Sequence, residues 1–175
     1  MNNNVHLLNQ QPAGMQTYAI IFDLDGTLAD CAHRLHYIHH EPPDFKAFYE
    51  DCPLDLPLPA AVIYNILIRQ SMMMIDCHQE RPDAPIPLID IVTGRPELYR
   101  GLTMRWLREQ GFMPPHSMHM RANDDHRPDY EVKLEIFNRE YTGKEVQAVF
   151  EDRDQTVKMW RDLGVPCFQV QAGSY

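Results

Sequence analysis

The stretch Tyr18-Ala-Ile-Ile-Phe-Asp-Leu-Asp-Gly-Thr-Leu28 joins a run of apolar residues to two carboxylates, a glycine and a threonine. The apolar run predicts a buried strand, and ligands bind at the carboxyl ends of strands in open parallel sheets. At that place Asp23 could attack phosphorus as a nucleophile, while Asp25 could protonate the leaving oxygen and later take a proton from water. Taken alone, the stretch also fits a turn without a catalytic role.

The size and composition of the chain restrict its class. Its 175 residues are enough for one well-packed domain and too few for two ordinary ones. No apolar run approaches the roughly 18 residues that a membrane span needs, and the opening residues do not resemble a secretory signal. The 4 cysteines are widely spaced and form no CxxC pair, which indicates reduced thiols. We therefore expect a cytoplasmic protein with no membrane association.

The charge balance argues against one class of nucleic-acid binder. Lys and Arg number 16 against 25 for Asp and Glu, so the net charge is -9. Such a chain repels nucleic acid at long range, which argues against a general coat protein. The balance still permits an enzyme that holds only the end of a chain through a few arginines.

Strand and helix patterns alternate along the rest of the chain. We predict further strands over residues 87–93, 117–121, 146–150 and 167–170. We predict helices over residues 60–70, 97–110, 129–141 and 153–163, with Asp129 capping the third. This alternation predicts an α/β, Rossmann-like parallel sheet of about five strands with helices on both faces.

The domain boundaries follow from the same patterns. Residues 1–17 are polar and lack periodicity, so we expect a flexible lead-in before a domain of residues 18–175. Residues 29–58 form a small helical insert, or cap, after the first strand. Residues 71–87 are expected to hold a helix end and a long surface loop. Asp90 interrupts the second strand, so it must find a hydrogen-bond donor or face solvent.

Two further segments could bind phosphate. Thr93, Gly94 and Arg95 end the second strand, and a hydroxyl with backbone amides at such a place binds phosphate oxygens. The alternative is that Thr93 only caps the following helix. Lys133 lies one turn into a helix that starts near the strand ends, where its charge could neutralise a nucleophile and a phosphate. A surface lysine is the alternative.

Paired acids end the third long strand. Glu151 and Asp152 would repel each other at the sheet edge without a cation. Together with Asp23 and the main-chain carbonyl of Asp25, they make an oxygen site suited to Mg²⁺, which also contacts substrate phosphate. The alternative, two acids that cap a helix before Arg153, explains one of them better than both.

Four elements, in this order, resemble the motifs of the haloacid dehalogenase superfamily: Asp23-x-Asp25, Thr93, Lys133 and Glu151-Asp152. The resemblance runs from about residue 18 to the end of the chain and implies that fold, Mg²⁺ as cofactor and an aspartyl-phosphate intermediate. An acid at position 25 argues against the dehalogenases and pumping ATPases, which lack one there. Hydrolysis then assigns the base that activates water to Asp25.

The carboxyl-terminal stretch from Glu151 to Val170 resembles, more closely, the 3′-phosphatase domain of bacteriophage polynucleotide kinase/phosphatase. Arg34 and Arg95 fall on that family's phosphate-contacting arginines, and the resemblance implies removal of 3′-terminal phosphates from DNA or RNA. It assigns Asp23, Asp25 and Lys133 to catalysis, and Asp23, Asp25, Asp152 and Glu151 to the metal. It assigns phosphate binding to Thr27, Arg34, Thr93, Gly94, Arg95 and Asp129.

Departures from the family leave alternatives open. No GxxxxGK[ST] loop occurs, so we expect no kinase activity from this chain, and Glu151 stands where the family has aspartate. The insert of about thirty residues would leave the strand ends accessible to a chain end or a nucleotide. The histidines of residues 33–40 could bind a metal, although solvated or packing roles explain them better.

The rival functions are a nucleotidase or small-molecule phosphatase, which the acidic net charge favours, and a non-catalytic subunit that binds nucleic-acid ends. The sequence does not choose between DNA, RNA and free nucleotides. It also leaves open the oligomeric state and the existence of a separate kinase or ligase partner.

Overall fold

A computed structural model describes residues 16–173. The strands in this part of the chain are β1 (Thr17–Phe22), β2 (Ala29–Asp30), β3 (Leu56–Pro57), β4 (Ile86–Pro96), β5 (Ser117–Arg121), β6 (Glu145–Arg153) and β7 (Cys167–Gly173). The α-helices are α1 (His36–His39), α2 (Phe45–Glu50), α3 (Ala60–Asp76), α4 (Arg100–Glu109), α5 (Asp129–Glu140) and α6 (Asp154–Asp162). Short 3₁₀ turns precede α1, β3 and α4.

The main sheet has five strands in the order β5-β4-β1-β6-β7. Every neighbouring pair in it is parallel. The prediction of a five-stranded parallel sheet is therefore confirmed, with β1 at its centre. The predicted flexible lead-in lies outside the described residues except for residues 16 and 17, the second of which already belongs to β1.

Two apolar cores cover the two faces of the sheet. Ile20 and Phe22 of β1 point into a core with Tyr64 of α3 and Trp106 of α4. The intervening residues Ala19 and Ile21 point into a second core, which contains these partners from α5 and α6: Val132, Ile136, Met159 and Trp160. Because alternate residues of a strand face opposite sides, a fully buried strand needs apolar residues at both positions. Helices on both faces supply the two cores.

The insert after β1 is held at its base by a short antiparallel ladder of β2 and β3. Between these strands lie α1, α2 and two 3₁₀ turns. Arg34 and Phe48 are buried inside the insert, and the guanidinium of Arg34 lies 4.1 Å from the centre of the Phe48 ring. The ladder was not predicted because two-residue strands carry no periodic signal.

Several predicted boundaries shift, and β6 and β7 each end three residues later than predicted. Helix α3 extends six residues past the predicted end at residue 70, through three methionines that favour helix. Strand β4 runs on to Pro96, so α4 begins at Arg100 and Thr93 is too far away to cap it. The prediction that Asp129 caps α5 is also wrong, because Asp129 is the first residue of that helix and Pro128 precedes it.

The described part of the chain has no membrane-spanning helix and no disulfide bond. Within residues 16–173, no helix has the length and apolar character that crossing a membrane requires. The cysteines Cys31, Cys52, Cys77 and Cys167 are all free, as their spacing predicted.

Asp90, the acid inside β4, finds two hydrogen-bond donors. Its Oδ1 accepts from the backbone N–H of Ser117 at 3.0 Å, and its Oδ2 accepts from the Tyr141 hydroxyl at 2.9 Å. The side chains of Asp90 and Tyr141 are both buried. A buried carboxylate is tolerated when such donors replace water.

We expect Tyr141→Phe to lower the free energy of unfolding by about 1 to 3 kcal/mol, because it leaves a buried carboxylate oxygen without its donor. Urea denaturation measures this change. Tyr130→Phe is the matched control, since Tyr130 lies near the start of α5, whereas Tyr141 follows its end, and the Tyr130 hydroxyl donates to the adjacent Glu131 at 3.1 Å. Equal stability losses in the two variants would contradict this role of Tyr141.

Candidate active site

The carboxyl ends of three adjacent strands bring the predicted site residues together. Asp23 follows β1, Thr93 lies in β4, and Glu151 and Asp152 lie near the end of β6. The loop after β1 turns sharply at Gly26, whose φ of 83° falls in the left-handed region that favours glycine. This edge of the sheet is where a doubly wound fold places its ligands.

Three carboxylates form a compact group at this edge. Oxygens of Asp23, Glu151 and Asp152 lie within 4.8 Å of one another, and all three side chains are buried. In residues 16–173 this is the one cluster of histidine, cysteine and carboxylate residues with metal-ligand spacing. An all-oxygen donor set of this kind suits a hard divalent cation such as Mg²⁺.

Lys133 is the cation at the centre of the group. Its Nζ lies 2.6 Å from Asp23 Oδ1, 2.7 Å from Glu151 Oε2 and 2.9 Å from Asp129 Oδ2. The side chain of Lys133 is only 1% exposed. The alternative of a surface lysine is therefore excluded, and Lys133 joins α5 to the ends of β1 and β6.

The charges in this cluster perturb one another. Burial and the charge of Glu151 raise the pKa of Asp23 well above the usual range of an aspartate. Burial, together with Asp129 and Asp152, raises the pKa of Glu151 to about 7 despite the nearby Lys133. Burial alone would lower the pKa of Lys133, but the surrounding carboxylates outweigh it and raise that pKa well above its usual value. Negative charge is therefore in excess at this edge.

Asp25 belongs to a second ionic cluster. Its carboxylate accepts from Arg34, and also from Arg95 through Nε at 2.9 Å and Nη2 at 2.5 Å. Burial would raise the pKa of Asp25, but the two guanidinium groups outweigh burial and hold that pKa below its usual range. Asp25 is accordingly a stable anion in this arrangement.

Asp55 completes the second cluster and was missed by sequence reasoning. Its Oδ1 accepts from Arg34 Nε, and its Oδ2 from Arg95 Nη2, each at 2.8 Å. His33 Nε2 lies 2.9 Å from Oδ1, and the backbone carbonyl of Asp55 accepts from the Trp106 indole. The sequence signal is misleading here, because Asp55 is fully buried while its neighbours Leu54 and Leu56 are each 67% exposed.

A small cavity of about 40 Å³ opens beside Asp23. Its lining residues are Asp23, Asp25, Phe48, Tyr49, Thr93, Gly94, Arg121, Asp129 and Arg153. Arg34 and Arg95 are fully buried against Asp25 and Asp55 and do not line it, and neither does the buried Thr27. Direct phosphate binding by these three residues stays a prediction.

Asp129 is held in place by two cations and a glycine. Its Oδ2 pairs with Lys133, and its Oδ1 lies 3.5 Å from Arg121 Nη2. A Cβ built on Gly94 would lie only 2.0 Å from Asp129 Oδ1, so a side chain there would displace the carboxylate. Arg121 also donates through Nε to the Gly94 carbonyl at 2.8 Å. Sequence reasoning did not single out Arg121.

Strand β7 contacts both the loop after β1 and the end of β6. Gln171 donates to the carbonyl of Gly26 at 2.7 Å, and Gln169 donates to the carbonyl of Asp152 at 2.8 Å. Gly173 lies so close to Asp152 that a Cβ built on it would be 2.4 Å from Oδ2. Strand β7, at the carboxyl-terminal end of the described chain, therefore contacts the site directly.

The histidines of the insert do not gather around a metal position in the described residues. His33 contacts Asp55, and His36 Nδ1 lies 2.9 Å from the backbone carbonyl of His33. His33, His36, His39 and His40 are all exposed, and the sequence favoured solvated or packing roles for them.

A viral protein is similar in sequence to most of this chain. The chain is 31% identical over 149 residues to a protein of Autographa californica nuclear polyhedrosis virus whose assigned name is bifunctional polynucleotide kinase/RNA ligase. The match covers 85% of this chain and 18% of the viral protein. This chain therefore spans less than a fifth of that relative.

Two solved structures are similar in fold to this chain. A chain of the Pnkp1/Rnl/Hen1 complex matches with a TM-score of 0.71 and 29% identity, over 95% of this chain and 50% of that one. A haloacid dehalogenase-like hydrolase from Streptococcus pneumoniae matches with a TM-score of 0.53 and 14% identity, over 87% and 84% of the two chains. The second match concerns the fold alone and confirms a haloacid dehalogenase-like architecture.

A family model described as the polynucleotide kinase PNKP phosphatase domain matches residues 69–175. This segment contains Lys133, Glu151 and Asp152, whereas Asp23 and Asp25 precede it. Because the match covers well over half of the chain, the chain belongs to the family of polynucleotide kinase PNKP phosphatase domains.

Proposed function

We propose that this chain is a Mg²⁺-dependent phosphomonoesterase that removes 3′-terminal phosphates from DNA or RNA ends through an aspartyl-phosphate on Asp23. The observation that carries the proposal is the buried group of Asp23, Glu151 and Asp152 around Lys133, beside a cavity that opens to the nucleophile. Membership of a polynucleotide kinase phosphatase-domain family supports the nucleic-acid substrate.

The residues at this edge fit a divalent cation. The four carboxylates of Asp23, Glu151, Asp152 and Asp129 outnumber the three positive charges of Lys133, Arg121 and Arg153 around them. We infer that Asp23 and Asp152 hold Mg²⁺, with Glu151 and the main-chain carbonyl of Asp25 in support. When bound, Mg²⁺ would polarise the phosphoryl group and offset the charge of the nucleophile.

Asp23 is the proposed nucleophile because its carboxylate lines the cavity at the end of β1. Lys133 holds Oδ1 of this carboxylate, which fixes its orientation and leaves the second oxygen to attack phosphorus. Thr93 and Gly94 line the same cavity from β4, where their hydroxyl and backbone groups would bind phosphoryl oxygens. Arg121, which lines it as well, joins them in this proposal.

Asp25 is the proposed proton donor and, later, the base that activates water. A carboxylate held by two guanidinium groups is a poor proton donor, so Asp25 must first lose part of this pairing. A phosphoryl group is itself an anion that suits bidentate arginine binding. We therefore infer that Arg34 or Arg95 turns from Asp25 to a phosphoryl oxygen when substrate binds, which leaves Asp25 free to carry a proton.

We propose a positioning role for Asp129, which differs from the phosphate-binding role that the resemblance implied. A carboxylate repels phosphate oxygens, and Asp129 is already paired with Lys133 and Arg121. We infer that Asp129 is a positioning residue: it holds these two cations beside the nucleophile and does not bind phosphate itself.

The first prediction from this proposed function concerns the nucleophile and the substrate. We expect phosphate release from a 3′-phosphorylated oligonucleotide, and slower release from its 5′-phosphorylated twin and from a nucleoside 3′-monophosphate. Asp23→Asn should lower the rate by at least about a thousandfold, as loss of a covalent nucleophile does. Asp162→Asn is the control, since Asp162 is an exposed aspartate paired with Lys158 on α6.

Three outcomes of this assay distinguish the candidate functions. Faster release from the mononucleotide would make the protein a nucleotidase, which the acidic net charge favours. Release that survives Asp23→Asn would contradict the covalent mechanism. Binding of oligonucleotide ends without any release would favour the non-catalytic subunit.

The second prediction concerns the metal. EDTA should abolish phosphate release, and added Mg²⁺ should restore it and raise the melting temperature, because an ion that binds only the folded state stabilises it. Asp152→Asn should raise the Mg²⁺ concentration needed for half-maximal activity by at least about tenfold, since even indirect contacts to a metal are worth that much. A normal Mg²⁺ requirement in this variant would remove Asp152 from the metal site.

The third prediction tests the close packing of β4 against Asp129. Gly94→Ala should lower phosphate release strongly, because its Cβ displaces a carboxylate that Lys133 and Arg121 hold in place. Gly101→Ala is the matched control, since a Cβ on Gly101 meets nothing within 4 Å. If both variants keep full activity, the approach of Asp129 to Gly94 has no catalytic importance.

A further inference from the structure

The size of the cavity restricts how a substrate can enter it. About 40 Å³ is far below the roughly 300 to 1,000 Å³ of pockets that enclose a whole small molecule. The cavity can therefore take a phosphoryl group but not the nucleoside attached to it. In the proposed reaction, the terminal nucleoside must lie outside, against the residues at the rim.

One tyrosine lines the cavity, and a second packs against the first. Tyr49, from α2 of the insert, lines the cavity, and its hydroxyl lies 3.5 Å from the Gly94 carbonyl in β4. Tyr99, from the 3₁₀ turn after β4, lies beside it, with the two ring centres 5.2 Å apart and the planes inclined by 33°. Both rings are only partly buried.

This position suits a nucleic-acid base. A base has two π faces and stacks on exposed aromatic rings without regard to sequence, which is how single-stranded ends are commonly held. The net charge of the chain is -9, so long-range attraction to the phosphate backbone does not supply the affinity for an end. Stacking is a contribution that this charge does not oppose.

We propose that Tyr49 and Tyr99 form a nucleoside subsite on which the terminal base of the substrate stacks while its 3′-phosphate enters the cavity. The subsite rests on the proposed function and narrows its substrate to ends that carry a base next to the phosphate. It joins the insert to the sheet edge, so the insert contributes to substrate recognition.

Two substrates that differ only in the terminal base test the subsite. One is a 3′-phosphorylated oligonucleotide, and the other has the same sequence with an abasic terminal sugar. Tyr49→Leu and Tyr99→Leu should each raise KM for the first by about tenfold, as loss of one stacking contact does. Tyr99→Leu should leave kcat and the KM for the abasic substrate nearly unchanged, because Tyr99 does not line the cavity. Tyr49→Leu should raise KM for the base-bearing substrate more than for the abasic one.

The controls separate stacking from packing. Tyr49→Phe and Tyr99→Phe keep the rings and should keep the wild-type KM for both substrates. Phe45→Leu removes an exposed ring from the same helix and should change neither KM. Tyr99→Trp enlarges the stacking surface and should lower KM for the base-bearing end, which gives a gain-of-affinity test if a leucine variant is poorly folded.

The outcomes distinguish the subsite from the reaction. If the leucine variants raise KM equally for both substrates, or for neither, the proposed subsite is contradicted. The proposed phosphatase activity is unaffected by that result. If the wild-type protein releases phosphate from neither oligonucleotide, the proposed function fails and the subsite fails with it.

Discussion

The ammonium group of Lys133, buried between Asp23, Asp129 and Glu151, is the interaction on which the site depends. It connects the end of β1, the start of α5 and the end of β6, three elements that are far apart in sequence. Burying one of these charges without a partner would cost several kcal/mol, so the lysine and the carboxylates constrain one another. The pairing orients Asp23 and leaves negative charge in excess. That excess favours binding of a cation at this edge of the sheet.

The second ionic cluster has a different task, because it connects the insert to the sheet. Arg34 and Asp55 belong to the insert, Arg95 to β4 and Asp25 to the loop after β1. The two acids of the opening motif therefore belong to separate networks, and Leu24 between them is fully buried in the core. In the proposed reaction this division matters, since one acid must attack phosphorus while the other exchanges a proton with the leaving group.

Much of the site was predictable because its residues follow apolar strand patterns directly. Asp23, Thr93, Glu151 and Asp152 each occur where such a pattern ends, and the strand ends of a parallel sheet share one edge. Asp55 and Arg121 follow no such pattern, and hydropathy would bury Leu54 and Leu56 while exposing Asp55, the reverse of what is found. The cap role of Asp129 failed because Asp129 is itself the first residue of α5 and Pro128 precedes it. Lys133 is its neighbour one helical turn away, whereas only the folded chain brings Arg121 to its carboxylate.

By itself the sequence determined the parallel α/β fold, its first buried strand and the acids at the strand ends, because apolar periodicity and local motifs are properties of adjacent residues. The strand order, with β1 at the centre, came from the tertiary structure. The ionic partners and the size of the cavity were decided only by the tertiary structure. Arg34 and Arg95, which the resemblance assigned to phosphate binding, pair with Asp25 and Asp55 in the structure. The physical reason is that a buried charge takes whichever opposite charge folding brings within reach, and that choice depends on contacts between distant segments.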